Sequence, residues 1–156
     1  MLRIGVIGGS VCREDASEIA YQVGKKIAEL GAVLICGGLT GIMEYSAKGA
    51  KEAGGLTIGI LPGSNEKTAN KYIDIPIVTA MDHARNIIVV RSSDVIIAIE
   101  GSLGTLSEIA LGLKIGKPII GINTWDVDER IYRAEDADAA FEALNSIIAQ
   151  EKNKQL

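Results

Sequence analysis

Residues 94–108 read Asp94-Val95-Ile96-Ile97-Ala98-Ile99-Glu100-Gly101-Ser102-Leu103-Gly104-Thr105-Leu106-Ser107-Glu108. The first part is a run of β-branched residues with no polar alternation, the pattern of a strand buried on both faces. It gives way to a glycine-containing turn and then to a helix start. In an open parallel sheet such strand-to-helix turns gather at the carboxyl edge, where ligands bind. This stretch therefore predicts both an architecture and a place to look for function.

Outward from it, similar apolar runs recur at residues 4–7, 32–36, 57–61 and 118–122, with a shorter one at 75–79. Helical patterns lie between them. Ile19, Val23, Ile27 and Leu30 share one helix face, and Gly31 closes that helix. Further helices are expected over 41–53, 82–91, from about 104 to just before Gly116, and over 137–149, with Ala140, Leu144, Ile147 and Ile148 on its apolar side. The strict alternation predicts an α/β, Rossmann-like, doubly wound and mostly parallel sheet of about six to seven strands with helices on both faces. Residues 1–156 are read as a single domain, with a frayed tail at 150–156.

Composition narrows the classes of function. Of 156 residues, 47% are apolar and 23% charged, with a net charge of −4. These values fit an ordinary globular protein. No Lys/Arg stripe is present, so nucleic acid is not an expected partner. The amino terminus lacks the long apolar segment of a signal peptide, and no apolar run approaches the ~20 residues of a membrane span. The expectation is a cytoplasmic protein without a membrane partner. The two cysteines, Cys12 and Cys36, are expected to be reduced, Cys36 as a small buried residue at a strand end. With a single histidine, His83, a metal site is not expected.

Three glycine clusters follow predicted strands: Gly8-Gly9-Ser10, Gly37-Gly38-Leu39-Thr40-Gly41 and Gly101-Ser102-Leu103-Gly104-Thr105. Without a Cβ, backbone can wrap an anion and turn its N–H groups toward it. The helix that follows adds free N–H groups and the positive end of its dipole, and Thr105 adds a hydroxyl donor. One such cluster is an ordinary tight turn. Three in the same strand-to-helix position point to a phosphate-bearing ligand. None has the Lys-Ser/Thr of a P-loop. The first loop is not G-x-G-x-x-G, and the second strand ends in Cys36-Gly37 where a dinucleotide fold needs an acid, so a redox NAD is not expected.

Glu108 lies three residues after Thr105 and projects from the same helix face toward the loop. Either it serves sugar hydroxyls or a cationic sugar transition state, or it complements the dipole in the first turn. Arg85 offers forked donors to a phosphate. A surface ion pair is the alternative. His83 is read as a solvated or packed side chain.

Together these residues resemble the lonely guy family of nucleoside-monophosphate phosphoribohydrolases, also labelled possible lysine decarboxylases. That family carries an Arg-Lys pair on a helix, followed by P-G-G-x-G-T-x-x-E. Here Arg85-Asn86 precedes Glu100-Gly101-Ser102-Leu103-Gly104-Thr105-Leu106-Ser107-Glu108, and Cys36-Gly37-Gly38-Leu39-Thr40-Gly41-Ile42-Met43 resembles the family's G-G-G-x-x-G-L-M. The similarity runs from Arg3 to about Ile122. The family's Lys is Asn86 here, its Pro is Glu100, and one Gly is Ser102. Ala84-Arg85-Asn86 together with Gly41-Ile42-Met43-Glu44 is closer to a sister branch that includes molybdenum-cofactor carrier proteins.

The resemblance implies two readings. In the first, an enzyme cleaves the N-glycosidic bond of a nucleoside 5′-monophosphate, releasing base and ribose 5-phosphate. Arg85 and Glu108 are then catalytic. Gly8, Gly9, Ser10, Gly37, Gly38, Gly41, Met43, Asn86, Gly101, Ser102, Leu103, Gly104 and Thr105 bind the ligand. Glu44 and Asp82 are candidates for a leaving-group acid. In the second, the same loops carry a molybdopterin-type or other phosphorylated ligand without chemistry. No cofactor is required in either, and a homodimer or higher homo-oligomer is implied. Decarboxylation is unsupported, because it needs an electron sink such as pyridoxal phosphate and the three loops hold no lysine. A DNA-processing protein shares the superfamily, but the acidic balance argues against DNA.

Overall fold

Successive residues of the central strands feed two different cores. Ile97 and Ile99 pack with Ile4, Val6, Leu34 and Cys36, whereas Ile96 and Ala98 pack with Ile7, Val33 and Ile35. Both faces are apolar because both are covered, which is why these strands read as continuous Val/Ile runs.

The computed structural model describes residues 1–154. In chain order the elements are β1 (Arg3–Gly8), α1 (Glu14–Glu29), β2 (Val33–Cys36), α2 (Ile42–Glu52), β3 (Leu56–Leu61), β4 (Ile75–Val78), α3 (Asn86–Ser92), β5 (Val95–Ile99), α4 (Leu103–Lys114), β6 (Ile119–Ile122), β7 (Ile131–Ala134) and α5 (Ala137–Lys154). The strands form one seven-stranded sheet in the order β4-β3-β2-β1-β5-β6-β7. Every neighbouring pair is parallel. One core draws on Ala16, Ala20, Ile42, Ala50 and Leu144 from α1, α2 and α5. The other draws on Val89, Val90 and Ile109 from α3 and α4. The fold is thus doubly wound, as the sequence predicts.

The chain builds outward from β1 to β4, then returns to place β5 on the other side of β1. That reversal opens a crevice between the carboxyl ends of β1 and β5, the point where α/β sheets bind ligands. Glycine also sets the spacing of one helix pair. A Cβ on Gly24 would lie 1.9 Å from Ser46 O, and one on Gly49 would lie 2.0 Å from Tyr21 O, so α1 and α2 pack backbone to backbone.

Three details differ from the sequence reading. β7 was not anticipated, since Ile131-Tyr132-Arg133-Ala134 is a polar-centred edge strand with only its ends buried. The helix expected over 82–91 is split into a turn of 3-10 helix, Asp82–Arg85, and α3. The break follows positive φ values at Ala80 (52°) and Asp82 (48°), and it leaves Arg85 buried. The expected frayed tail is helical as far as Lys154, while residues 155–156 lie outside the described residues. Among the described residues, no helix is long and apolar enough to cross a membrane.

Candidate functional site

The three glycine loops line one cleft at the crevice, and the first two are joined by hydrogen bonds. Gly9 O accepts a hydrogen bond from Ile42 N at 3.0 Å. Thr40 Oγ1 donates to Ser10 O at 2.9 Å. Gly41 has φ 67°, and a Cβ there would stand 2.3 Å from Gly9 O, so no other residue fits the junction of the first two loops. In the third loop, Gly101 has φ 108° and lies against the Thr105 side chain. Ser102 precedes α4 without a side-chain cap, and the first turn of that helix has no acid. Its leading N–H groups therefore remain available to an anion.

The floor of the inner cleft is charged and buried. Arg85 Nη1 lies 3.6 Å from Glu108 Oε1, with the two side chains only 10% and 9% exposed. Nη1 also donates to Asn86 Oδ1. Nη2 reaches Gly37 O at 3.4 Å. Arg85 Nε is buried with no hydrogen-bond partner. Asn86 Nδ2 donates to Ser107 Oγ at 3.1 Å, tying the start of α3, directly after Arg85, to the helix that bears Glu108. Burial pushes the Glu108 carboxyl up to about 7, and the Arg85 charge only partly opposes it. Burial likewise lowers the Arg85 pKa, against the pull of Glu108. The Cys36 thiol beneath is pushed up to about 12 by burial, which makes it inert.

Most of the sequence-derived residues line this cleft: Gly8, Gly9, Ser10, Gly37, Met43, Arg85, Asn86, Ser102, Gly104, Thr105 and Glu108. Gly101 lines a neighbouring cleft instead. Gly38 packs against Leu61 and Gly59, and Gly41 buttresses the first loop, so both shape the site from behind. The Leu103 side chain is 74% exposed, and only its backbone belongs to the loop. His83 stands exposed at the rim. Neither Glu44 nor Asp82 lines the inner cleft, so Glu108 is its one carboxylate among the described residues.

A second, outer cleft of about 630 Å3 adjoins the first, lined by Arg13, Glu100, Asn123, Thr124 and Trp125 beside the loop glycines. Arg13 grips Glu100 through Nε and Nη2, at 2.9 and 2.6 Å from Oε1. The acid beside the third glycine loop is therefore offset by a cation from the start of α1. Arg13, Asn123, Thr124 and Trp125 were missed in the sequence. One signal was available: residues 123–125 follow β6 and so belong to the same carboxyl edge.

Residues 1–155 match the model of the SLOG cluster4 family. The chain is 52% identical over 122 residues to an uncharacterized protein of Archaeoglobus fulgidus, covering 78% of this chain and 80% of that protein. It is 33% identical over 113 residues to the cytokinin riboside 5′-monophosphate phosphoribohydrolase LOG of Oryza sativa subsp. japonica, covering 69% of this chain and 46% of that one. A cytokinin riboside 5′-monophosphate phosphoribohydrolase of Mycobacterium tuberculosis is 32% identical over 117 residues, at 69% and 63% coverage. The chain thus spans from about half to somewhat under two thirds of the length of these two enzymes. Among solved structures, the molybdenum cofactor binding protein of Rippkaea orientalis superposes with a TM-score of 0.89 and 42% identity, covering 94% of this chain and 97% of that one. The molybdenum cofactor carrier protein of Chlamydomonas reinhardtii superposes with a TM-score of 0.87 and 37% identity, at 95% and 98% coverage.

Proposed function

The chain belongs to the SLOG cluster4 family, and from that premise we propose that it binds a phosphorylated, nucleotide-type ligand and cleaves the N-glycosidic bond of a nucleoside 5′-monophosphate. The observation that carries this reading is the buried Arg85–Glu108 pair on the floor of a cleft walled by three glycine loops. The phosphate sits on the loop from Gly101 to Thr105, at the amino end of α4. Ribose then lies over the floor, where Glu108 accepts from its hydroxyls and faces the carbon that becomes cationic. Water adds to that carbon as the bond to the base nitrogen breaks. The base leaves with the electron pair, and Glu108 relays the proton from water to it. A carboxyl held near neutrality suits that relay, since it is both a competent base and a competent acid. Arg85 holds the carboxylate in place and offsets charge. The protein acts in the cytoplasm as a homodimer or larger assembly, which light scattering on the purified protein checks.

Incubation with AMP, GMP, CMP and UMP, followed by chromatography for free base, tests this. Release that disappears in Glu108→Gln supports it. Retention of intact monophosphate by a folded protein, with no release from any of the four, removes the hydrolytic step.

A second reading has its own observation. Asn86 stands where the resembled enzymes carry a lysine, and its side chain is engaged by Arg85 and Ser107. Without that cation the site is less charged toward its ligand. The structural likeness to two molybdenum cofactor proteins over nearly the whole of each chain supports a carrier that holds a molybdopterin-type ligand intact. Mass spectrometry of whatever co-purifies separates the two readings.

A further inference from the structure

Hydrolysis of an N-glycosidic bond takes one proton from water and gives one to the departing ring nitrogen. In a direct displacement water approaches opposite the departing bond, so the two protons are handled on opposite sides of the sugar. Glu108, buried on the floor of the inner cleft, serves one of those sides. The other side needs a donor of its own. Among the described residues, three side chains lining the inner cleft are titratable: Glu108, Arg85 and His83. A guanidinium does not give up its proton in a protein. The hydroxyls of Ser10, Ser102 and Thr105 belong to the glycine loops and are too weakly acidic for the task. Elimination leaves His83, the one histidine of the chain.

The backbone that carries His83 is fixed from both ends. Asp82–Arg85 form a single turn of 3-10 helix. The segment leading into it is fastened to the loop after β3: Ala80 N donates to Gly63 O and Asp82 N to Pro62 O, both at 3.0 Å. Ala80 and Asp82 are held at φ 52° and 48°, a left-handed backbone that residues other than glycine rarely adopt. Backbone strain of this kind gathers at functional sites. Beyond the turn, Asn86 N donates to His83 O. The break that buries Arg85 on the floor thus leaves His83 exposed at the rim of the same cleft. The imidazole makes no hydrogen bond or ion pair with any described residue, so both of its nitrogens are open to a ligand.

Resting on the reading that the chain cleaves nucleoside 5′-monophosphates, we infer that His83 is the acid that protonates the leaving base. The site then suits rings that depart as anions unless they are protonated. As the bond from the sugar carbon to the ring nitrogen breaks, its electron pair goes to that nitrogen, and the His83 imidazolium gives the nitrogen its proton. On the opposite side the water oxygen bonds to the sugar carbon, and Glu108 takes the proton that water releases. Transfer of that proton from Glu108 to His83 through solvent at the rim restores both groups. The relay from water to base therefore ends at His83, and water is all that it consumes.

A cationic ring tests this, because it departs as a neutral molecule and needs no proton. Nicotinamide mononucleotide and 7-methylguanosine 5′-monophosphate are such substrates and carry the same ribose 5-phosphate. The purified chain is assayed on both and on whichever of AMP, GMP, CMP and UMP it cleaves fastest. His83→Gln is expected to lower kcat on that nucleotide about 100-fold or more, and to change kcat on the cationic substrates less than about threefold. His83→Asn is read the same way should the first variant not fold. Equal losses on both kinds of substrate make His83 a binding or structural residue and overturn the inference, and so does an unchanged rate on the nucleotide. In those two outcomes the hydrolytic reading stands and this inference alone fails. A parent that cleaves only the cationic substrates has no acid to give, which also overturns it. Where the parent refuses the cationic substrates, imidazole is added to His83→Gly. Partial return of nucleotide cleavage supports the inference, and no return overturns it. If no ring is released from any substrate by the parent, both readings fail.

Discussion

Arg85 and Glu108 face each other at 3.6 Å across the gap between two segments packed on the same side of the sheet, and neither side chain exceeds 10% exposure. The separation is longer than a direct charge-assisted hydrogen bond, which is shorter than about 3 Å. Arg85 spends its closest contacts on Asn86 and Gly37 instead. Glu108 is therefore a buried carboxyl whose partner compensates it incompletely, which keeps its pKa near neutrality.

The stability of the protein should carry the signature of that carboxyl. Its pKa is raised from 4.5 to about 7 on folding, so its contribution is fully present below the unfolded value and is lost as pH rises through the folded one. Glutamine does not titrate. The difference in Tm between Glu108→Gln and the parent should therefore shift in favour of glutamine between about pH 5 and about pH 8. Melting curves across that range check it, and a pH-independent difference would contradict it.

The close approach of α1 and α2 predicts a sharp stability effect. Gly24→Ala places a methyl 1.9 Å from Ser46 O, a backbone atom that cannot step aside alone. Overpacking of this kind destabilises by about 1–3 kcal/mol or more. Urea denaturation should show it, with Gly54→Ala excluded as a control because its φ of 79° adds backbone strain. Gly104→Ala is the suitable comparison, since its Cβ would meet nothing within 4 Å.

Removing the cation from the outer cleft should weaken anion binding. Arg13→Ala leaves the Glu100 carboxylate uncompensated beside the amino end of α4. Affinity for inorganic pyrophosphate is expected to fall about threefold to tenfold at low salt, and less at high salt, where exposed charges are screened. Calorimetry at two ionic strengths measures it.

The two thiols should differ in reactivity. Cys36 is buried with its thiol raised to about 12, whereas Cys12 is partly exposed and raised more modestly by burial and the Glu100 charge. Alkylation of the native protein should label Cys12 slowly and spare Cys36 until the chain unfolds. Peptide mapping by mass spectrometry reads the outcome.

The fold was legible because its information is local. A strand covered on both faces must be apolar along its whole length, as 95–99 and 4–7 are, and each such run ends in a glycine turn. The same locality made the third glycine loop and the Thr105–Glu108 spacing readable, because they are contiguous at the start of a single helix. β7 is not legible in the sequence because an edge strand has a weaker apolar pattern than a central one.

Other features belong to the tertiary structure. Arg85 reads in the sequence as a residue that could equally form a surface pair. It is buried because the chain breaks from 3-10 to α-helix beside it and turns it toward Glu108. Arg13 meets Glu100 across 87 positions, and Trp125 meets Ser102 across 23. No periodicity encodes those meetings, because they depend on which strand ends the sheet order brings side by side. Sequence by itself thus determined a parallel α/β sheet with a glycine-lined carboxyl edge, through burial and backbone requirements felt within a few residues. Only the tertiary structure decided which charges pair there and that the edge holds two joined clefts, since both depend on distances between segments remote in the chain.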